Sequence, residues 1–210
     1  MPSPDLLDEF LPEYDVSDSV ARVVAADRES TWQALVSADL IEVGRRRPMV
    51  AFLGFSRLLP ELASHLLHGE GIPDQPEHMR LKETTQSPAI DGGWMLLAER
   101  EPEELALGLI GKFWRPVIEY AALEPSEWHA FEEPGWAKTV YDLRLTRIDD
   151  AQTLLTGTMR TATTDDRARR WFRRYWTLGV GAGAHVLVDG LLDLVAEQAE
   201  ASAASVPVEV

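Results

Sequence analysis

A helical pattern from Thr164 or Asp165 to about Ala199 constrains this chain more than any other feature. At about 1.5 Å per residue it is ~50 Å long, and no other helical pattern in the sequence approaches that. It follows a run of strand-like segments, and a twisted antiparallel sheet must have one face covered. The fold class predicted is therefore α+β: a curved antiparallel sheet wrapped around a long C-terminal helix. Two shorter helices after the first strand plug one end.

Residues 16–25, VSDSVARVVA, are β-branched and roughly alternating, as a first strand requires. A helix follows, with Asp27 as N-cap and Trp32, Leu35 and Val36 at i, i+3, i+4. Residues 48–68 form a second helical stretch, started by Pro48 and kinked or split by Pro60. After the loop 69–77 the period changes. Residues 78–87, 93–100, 104–114, 137–148 and 152–163 read as strands, with Gly92-Gly93, Pro102 and Asp149-Asp150 as turns. The short gap between the last two implies an antiparallel hairpin. A longer irregular segment, 115–135, is expected over the sheet or its rim. One domain over residues 14–199 accounts for all of this, flanked by flexible tails at 1–13 and 200–210. The first tail has Leu6, Leu7 and Phe10 with which to dock.

A 210-residue chain that is 45% hydrophobic can bury a sizeable core. Its net charge of −15 argues against a nucleic-acid partner and against anionic lipid. The absence of cysteine removes disulfides, thiol catalysis and thiolate metal sites. The N-terminus lacks the pattern of a signal peptide, and His185, Asp189 and Asp193 interrupt the most apolar run, 178–196. The expectation is a cytoplasmic protein with no membrane span, either monomer or homodimer.

Four stretches carry a family resemblance. VSDSVARVVAADRESTWQAL looks like the strand-and-helix opening of the START-like (SRPBCC, helix-grip) superfamily. ELALGLIGKFWRP, FEEPGWAKTVYDLRL and TDDRARRWFRRYW resemble an uncharacterised, chiefly bacterial branch of it. The resemblance covers residues 15–198. It implies a helix-grip fold with a deep cavity between sheet and terminal helix, which in the superfamily holds lipids, polyketides, hormones or aromatic compounds. Some members are cyclases or hydrolases, many only bind or carry, and some act on a partner protein.

The residues themselves supply candidates for such a cavity. On a helical wheel Trp171, Phe172, Tyr175, Trp176, Gly179, Gly183, Val186 and Leu187 share one stripe, with Arg170, Arg173 and Arg174 on other faces. Gly179, Gly181 and Gly183 each cost a helix about 1 kcal/mol relative to Ala, so the helix kinks, unwinds or closely approaches a ligand there. On the hairpin, Thr139, Tyr141, Leu143 and Leu145 face one way, opposite Lys138, Asp142 and Arg144. Leu155, Gly157, Met159 and Thr161 face inward from the partner strand, with Gly157 leaving a gap. The candidate ligand-binding set is Thr139, Tyr141, Leu143, Leu155, Met159, Trp171, Tyr175, Trp176, Gly179 and Gly183. Filled-core packing fits the same residues.

Catalytic signals are sparse. His65 and His68 lack the further ligands of a zinc site. His185 and Asp189 are four apart, a spacing that suits an oriented imidazole or a surface pair. Glu83 and Glu99 lie on strands of unassigned facing, and Arg45–Arg47 form a solvated turn or meet an acidic partner. No nucleophile elbow, phosphate loop or paired-carboxylate signature occurs. The expected function is binding or carriage of a small, largely apolar ligand, without metal or cofactor. An enzyme acting on such a ligand and a protein-interaction module are the alternatives.

Overall fold

A computed structural model describes residues 5–46, 80–81 and 94–205. The expected helix at 48–68, the loop 69–77 and most of the strand 78–87 lie outside the described residues, as do His65, His68, Glu83 and Arg47. Among the described residues five strands form one antiparallel sheet: β1 (Val16–Val24), β2 (Met95–Arg100), β3 (Glu104–Gly111), β4 (Ala137–Arg147) and β5 (Thr153–Thr163), in the order β1-β5-β4-β3-β2. The predicted hairpin is β4–β5, in continuous register from Ala137↔Thr163 to Arg147↔Thr153. Its turn is closed by the Asp149 side chain, which accepts from Ala151 N–H.

α1 spans Leu6–Phe10, α2 Arg28–Ser37 and α3 Leu40–Arg46. Asp27 caps α2 as predicted, accepting from Ser30 N–H at 2.9 Å, a contact typically worth ~1 kcal/mol. Trp32 and Leu35 are buried in the core that α2 shares with the long helix. That helix is α4 (Asp166–Tyr175), a π-turn (Trp176–Val180) and α5 (Gly181–Ser205). It runs past Ala199 because no proline or glycine stops it, and Ala199 is itself buried. Asp165 caps the start, accepting from Ala168 N–H at 2.8 Å and from Gly135 N–H, which ties the helix to the entry of β4. The bend falls in the glycine cluster: Gly179 has φ of +105°, which a residue with a Cβ rarely adopts.

The sheet is covered on both faces. α5 packs on the inner face through Val188, Leu191, Leu192 and Val195, against Leu107, Leu143 and Leu155. On the outer face lie α1 and the segment between β3 and β4. Leu6, Leu7, Trp128, Phe131 and Trp136 close over Ala106, Ile110 and Val140 there. Burial on two sides explains why residues 105–111 are apolar throughout. It also corrects the expectation of a flexible N-terminal tail. From Asp5 the segment is a docked helix, because Leu6 and Leu7 become 1% and 4% exposed. Trp128 Nε1–H donates to the Phe10 carbonyl at 2.9 Å and pins its end.

Candidate functional site

Between the inner face of the sheet and α5 lies an apolar cavity of about 70 Å3. Leu107, Tyr141, Leu143 and Gly157 form its sheet wall; Leu187, Val188 and Leu191 form its helix wall; Leu40, Leu81 and Trp94 close it. At roughly 10–15 Å3 per water on this measure, it has room for about five water-sized groups. That is smaller than the few hundred Å3 typical of small-molecule sites. Gly157 does not leave the expected gap. A Cβ there would stand 2.6 Å from Val188 Cγ1 and 3.1 Å from Leu192 Cδ1, so α5 already occupies the space.

Tyr141 lines the cavity beside two other polar residues, Asp142 and Thr158. Its ring lies 5.3 Å from that of Trp94, at 59°, and its hydroxyl has no hydrogen-bond partner among the described residues. Burial, then the neighbouring Tyr175 and Asp18, raises the phenol pKa well above the ordinary value, so the group stays protonated and can donate.

The remaining candidates separate into distinct environments. Leu143 joins Tyr141 at the cavity wall, whereas Leu155 is wholly buried in the core behind it. Met159 is buried directly across the strands from Tyr141. Thr139 and Thr161 hydrogen-bond each other at 2.9 Å, which satisfies both buried hydroxyls. Tyr175 and Trp176 pack around Phe172, with ring centroids 6.1 and 5.9 Å away, in a separate aromatic cluster with Leu109 and Phe113. Gly183 is half-buried in the first turn of α5.

Trp171 and Gly179 depart furthest from expectation, and neither lines the cavity. Trp171 is 48% exposed, because Ala168 and Phe172 take the buried side of α4. Gly179 is exposed at the bend and serves the turn itself; Gly181, two residues on, has no room for a Cβ beside the Trp176 ring.

His185 takes a different partner from the one its spacing suggested. Its Nδ1 lies 2.8 Å from Asp18 of β1, while Asp189 and Asp193 pair with Arg22 of the same strand. The acids that interrupt the apolar stripe of α5 thus stitch the helix to the sheet's edge. Arg46 bridges Glu42 and Glu197 in the same way.

A second polar cluster escaped the sequence reading, which placed Asp142 on the face opposite Tyr141 without assigning what covers it. α1 covers it. Asp142 and Glu104 are each 3% exposed; with Asp5 they bring carboxylate oxygens within 4.8 Å of one another. This spacing suits a cation, but two guanidinium groups already serve the cluster. Arg144 pairs with Glu104 and Asp5, and Arg100 with Glu104. The remaining cation is a proton: burial, then the charges of Glu104 and Asp5, push the Asp142 pKa up to about 8.

No protein-family model matches the chain, and no curated protein matches it. Several solved structures are similar over most of their length. A conserved protein from Geobacillus kaustophilus is 12% identical, covering 89% of this chain and 97% of its own, with a TM-score of 0.38. A hypothetical protein from Helicobacter pylori is 10% identical over 92% and 96%, with a TM-score of 0.39. An aromatase/cyclase from a Streptomyces species is 13% identical over 90% and 95%, with a TM-score of 0.31. Likeness at this level carries no argument about fold family or chemistry.

Proposed function

We propose that this protein binds or carries a small, largely apolar ligand in the cavity between the sheet and α5, as a member of the START-like superfamily. The observation that carries the reading is a void with nearly all-apolar walls and the uncommitted hydroxyl of Tyr141. Such a void favours an apolar body, and one donor orients it. The volume limits the buried part of the ligand to a group of about benzene size or less, unless the walls move.

A phenol-sized probe tests this. In calorimetric titration p-cresol binds the parent, Tyr141→Phe weakens it about tenfold by removing one hydrogen bond, and Leu187→Trp abolishes binding by filling the void. Equal affinity for parent and Leu187→Trp overturns the proposal.

A second reading, an enzyme of cyclase or hydrolase type acting on such a ligand, draws support from the 2.8 Å contact of His185 with Asp18. A carboxylate on Nδ1 orients an imidazole for general-base work. Loss of turnover of an identified substrate in His185→Ala, with ligand affinity retained, would establish that reading over simple carriage.

A further inference from the structure

The chain's charge is unevenly distributed, and its least typical surface is the outer side of α4. Residues 167–188 contain five arginines and no acidic residue in a chain of net charge −15. Arg167, Arg170, Arg173 and Arg174 are all exposed, and they surround two exposed apolar side chains. Trp171 is 48% exposed with the Arg174 guanidinium 5.5 Å from its ring centre; Leu178, in the π-turn, is 85% exposed. Positions 167, 170, 171, 174 and 178 follow helical spacing and form one stripe. Trp114 and Pro116 line one open groove with Trp171 and Arg167.

Packing among the described residues explains none of this exposure. The buried side of α4 is made by Ala168 and Phe172, so Trp171 and Leu178 contribute nothing to the core. Nearby acids are committed elsewhere: Asp165 caps the helix, Asp166 pairs with Arg169, and Glu119 holds Lys112 and Arg115.

From this arrangement we infer that the outer face of α4 and its π-turn is a docking surface for an anionic lipid bilayer. Guanidinium groups match phosphodiester oxygens in geometry and charge. Their stems can lie along apolar surface while the heads remain at headgroup level. Trp favours that same boundary, and a protruding Leu178 needs no complementary pocket, only acyl chains to enter. The remaining acids do not forbid contact, because charges beyond about 8 Å are screened at physiological salt. The stripe is amphipathic along the helix axis and lies flat, as an interfacial helix does.

Vesicle sedimentation tests the inference with the full-length protein. The vesicles are phosphatidylcholine alone, or phosphatidylcholine with phosphatidylglycerol at about 3:1, in low and in physiological salt. The expected result is binding to the mixed vesicles at least about tenfold tighter than to the neutral ones, weakening as salt rises. Arg170→Glu with Arg174→Glu removes this preference, and Leu178→Glu lowers binding to both kinds. All three positions are exposed, so the variants keep the parent's thermal transition. Two results overturn the inference: no preference for the anionic vesicles, or undiminished binding by the charge-reversal variant. Lipid-free self-association that the same variants abolish would also overturn it and assign the face to a second copy of this chain.

Discussion

Asp142 and Glu104 bring their carboxyl groups within 4.8 Å of each other beneath the N-terminal helix, with Asp142 Oδ1 buried and unpartnered. Leu6 N–H donates to Glu104 Oε1 at 3.1 Å, so this carboxyl pair is part of what seats α1 on the sheet. The proton on Asp142 keeps a second buried negative charge from forming beside Glu104. A folded-state pKa raised from 3.8 to about 8 makes a stabilising contribution below the unfolded value. That contribution is lost as pH rises through about 8.

Asp142→Asn keeps the shape and the donor while removing the titration. Thermal melts at rising pH should show the parent losing stability toward alkaline conditions and the variant losing much less. Above about pH 8 the variant is the more stable by roughly 1–3 kcal/mol. Parallel curves for the two proteins would disprove the raised pKa of Asp142.

Acid acts through other groups. Asp15 is held below the usual carboxylate range by Thr163 and Arg169, against the opposing effect of its burial; Asp27 and Asp165 are held low chiefly by the helix N–H groups they cap. Their stabilisation is present above the unfolded pKa and is lost as pH falls through the folded values. Asp165→Ala should cost about 1–2 kcal/mol at neutral pH, since it removes a cap and the link to Gly135. The same variant should be less acid-sensitive, which denaturant titrations at two pH values can measure.

The bend in the long helix depends on one residue. Gly179→Ala meets no neighbouring atom, yet it must hold φ of +105°. The expected cost is about 1–2 kcal/mol, read as a lowered urea midpoint with unchanged slope. A stabilising effect would mean that the helix straightens freely through Trp176–Val180.

Gly157→Ala probes the helix–sheet contact from the opposite direction. The new methyl lies within 2.6 Å of Val188 Cγ1, so α5 must shift or the side chain must turn. Destabilisation of about 1–3 kcal/mol is expected. An unperturbed melting temperature would imply looser packing than the structure describes.

Much of the architecture was legible in the chain. The hairpin followed from alternation at 137–148 and 152–163, and Asp27 and Asp165 marked helix starts because a short acidic side chain there satisfies open N–H groups. Alternation assigns a strand's side chains to two faces but does not reveal what covers each. The burial of Asp142 was therefore not foreseen, because it comes from α1, formed from an acidic Pro-containing segment. Trp171 was misplaced for a related reason. A wheel built on the aromatic run averages over the bend, whereas Ala168 and Phe172 fix the inner side of α4. His185 and Asp189 satisfied helical spacing, yet their partners, Asp18 and Arg22, are on a strand more than 160 residues earlier. Within the site, Tyr141 and Leu143 were recoverable from strand phase. Leu187 was on the helical stripe, whereas Val188 and Leu191 gain their place at the cavity only from the path of α5 after the π-turn.

The most direct measurement of the central claim is methyl NMR of the leucine- and valine-labelled protein titrated with p-cresol. Saturable shifts are predicted at Leu107, Leu143, Val188 and Leu191, with intermolecular contacts from the ring to those methyls and none to exposed Leu178. Absence of shifts at the four cavity residues, or shifts confined to Leu178 and its neighbours, would contradict a ligand site between the sheet and α5.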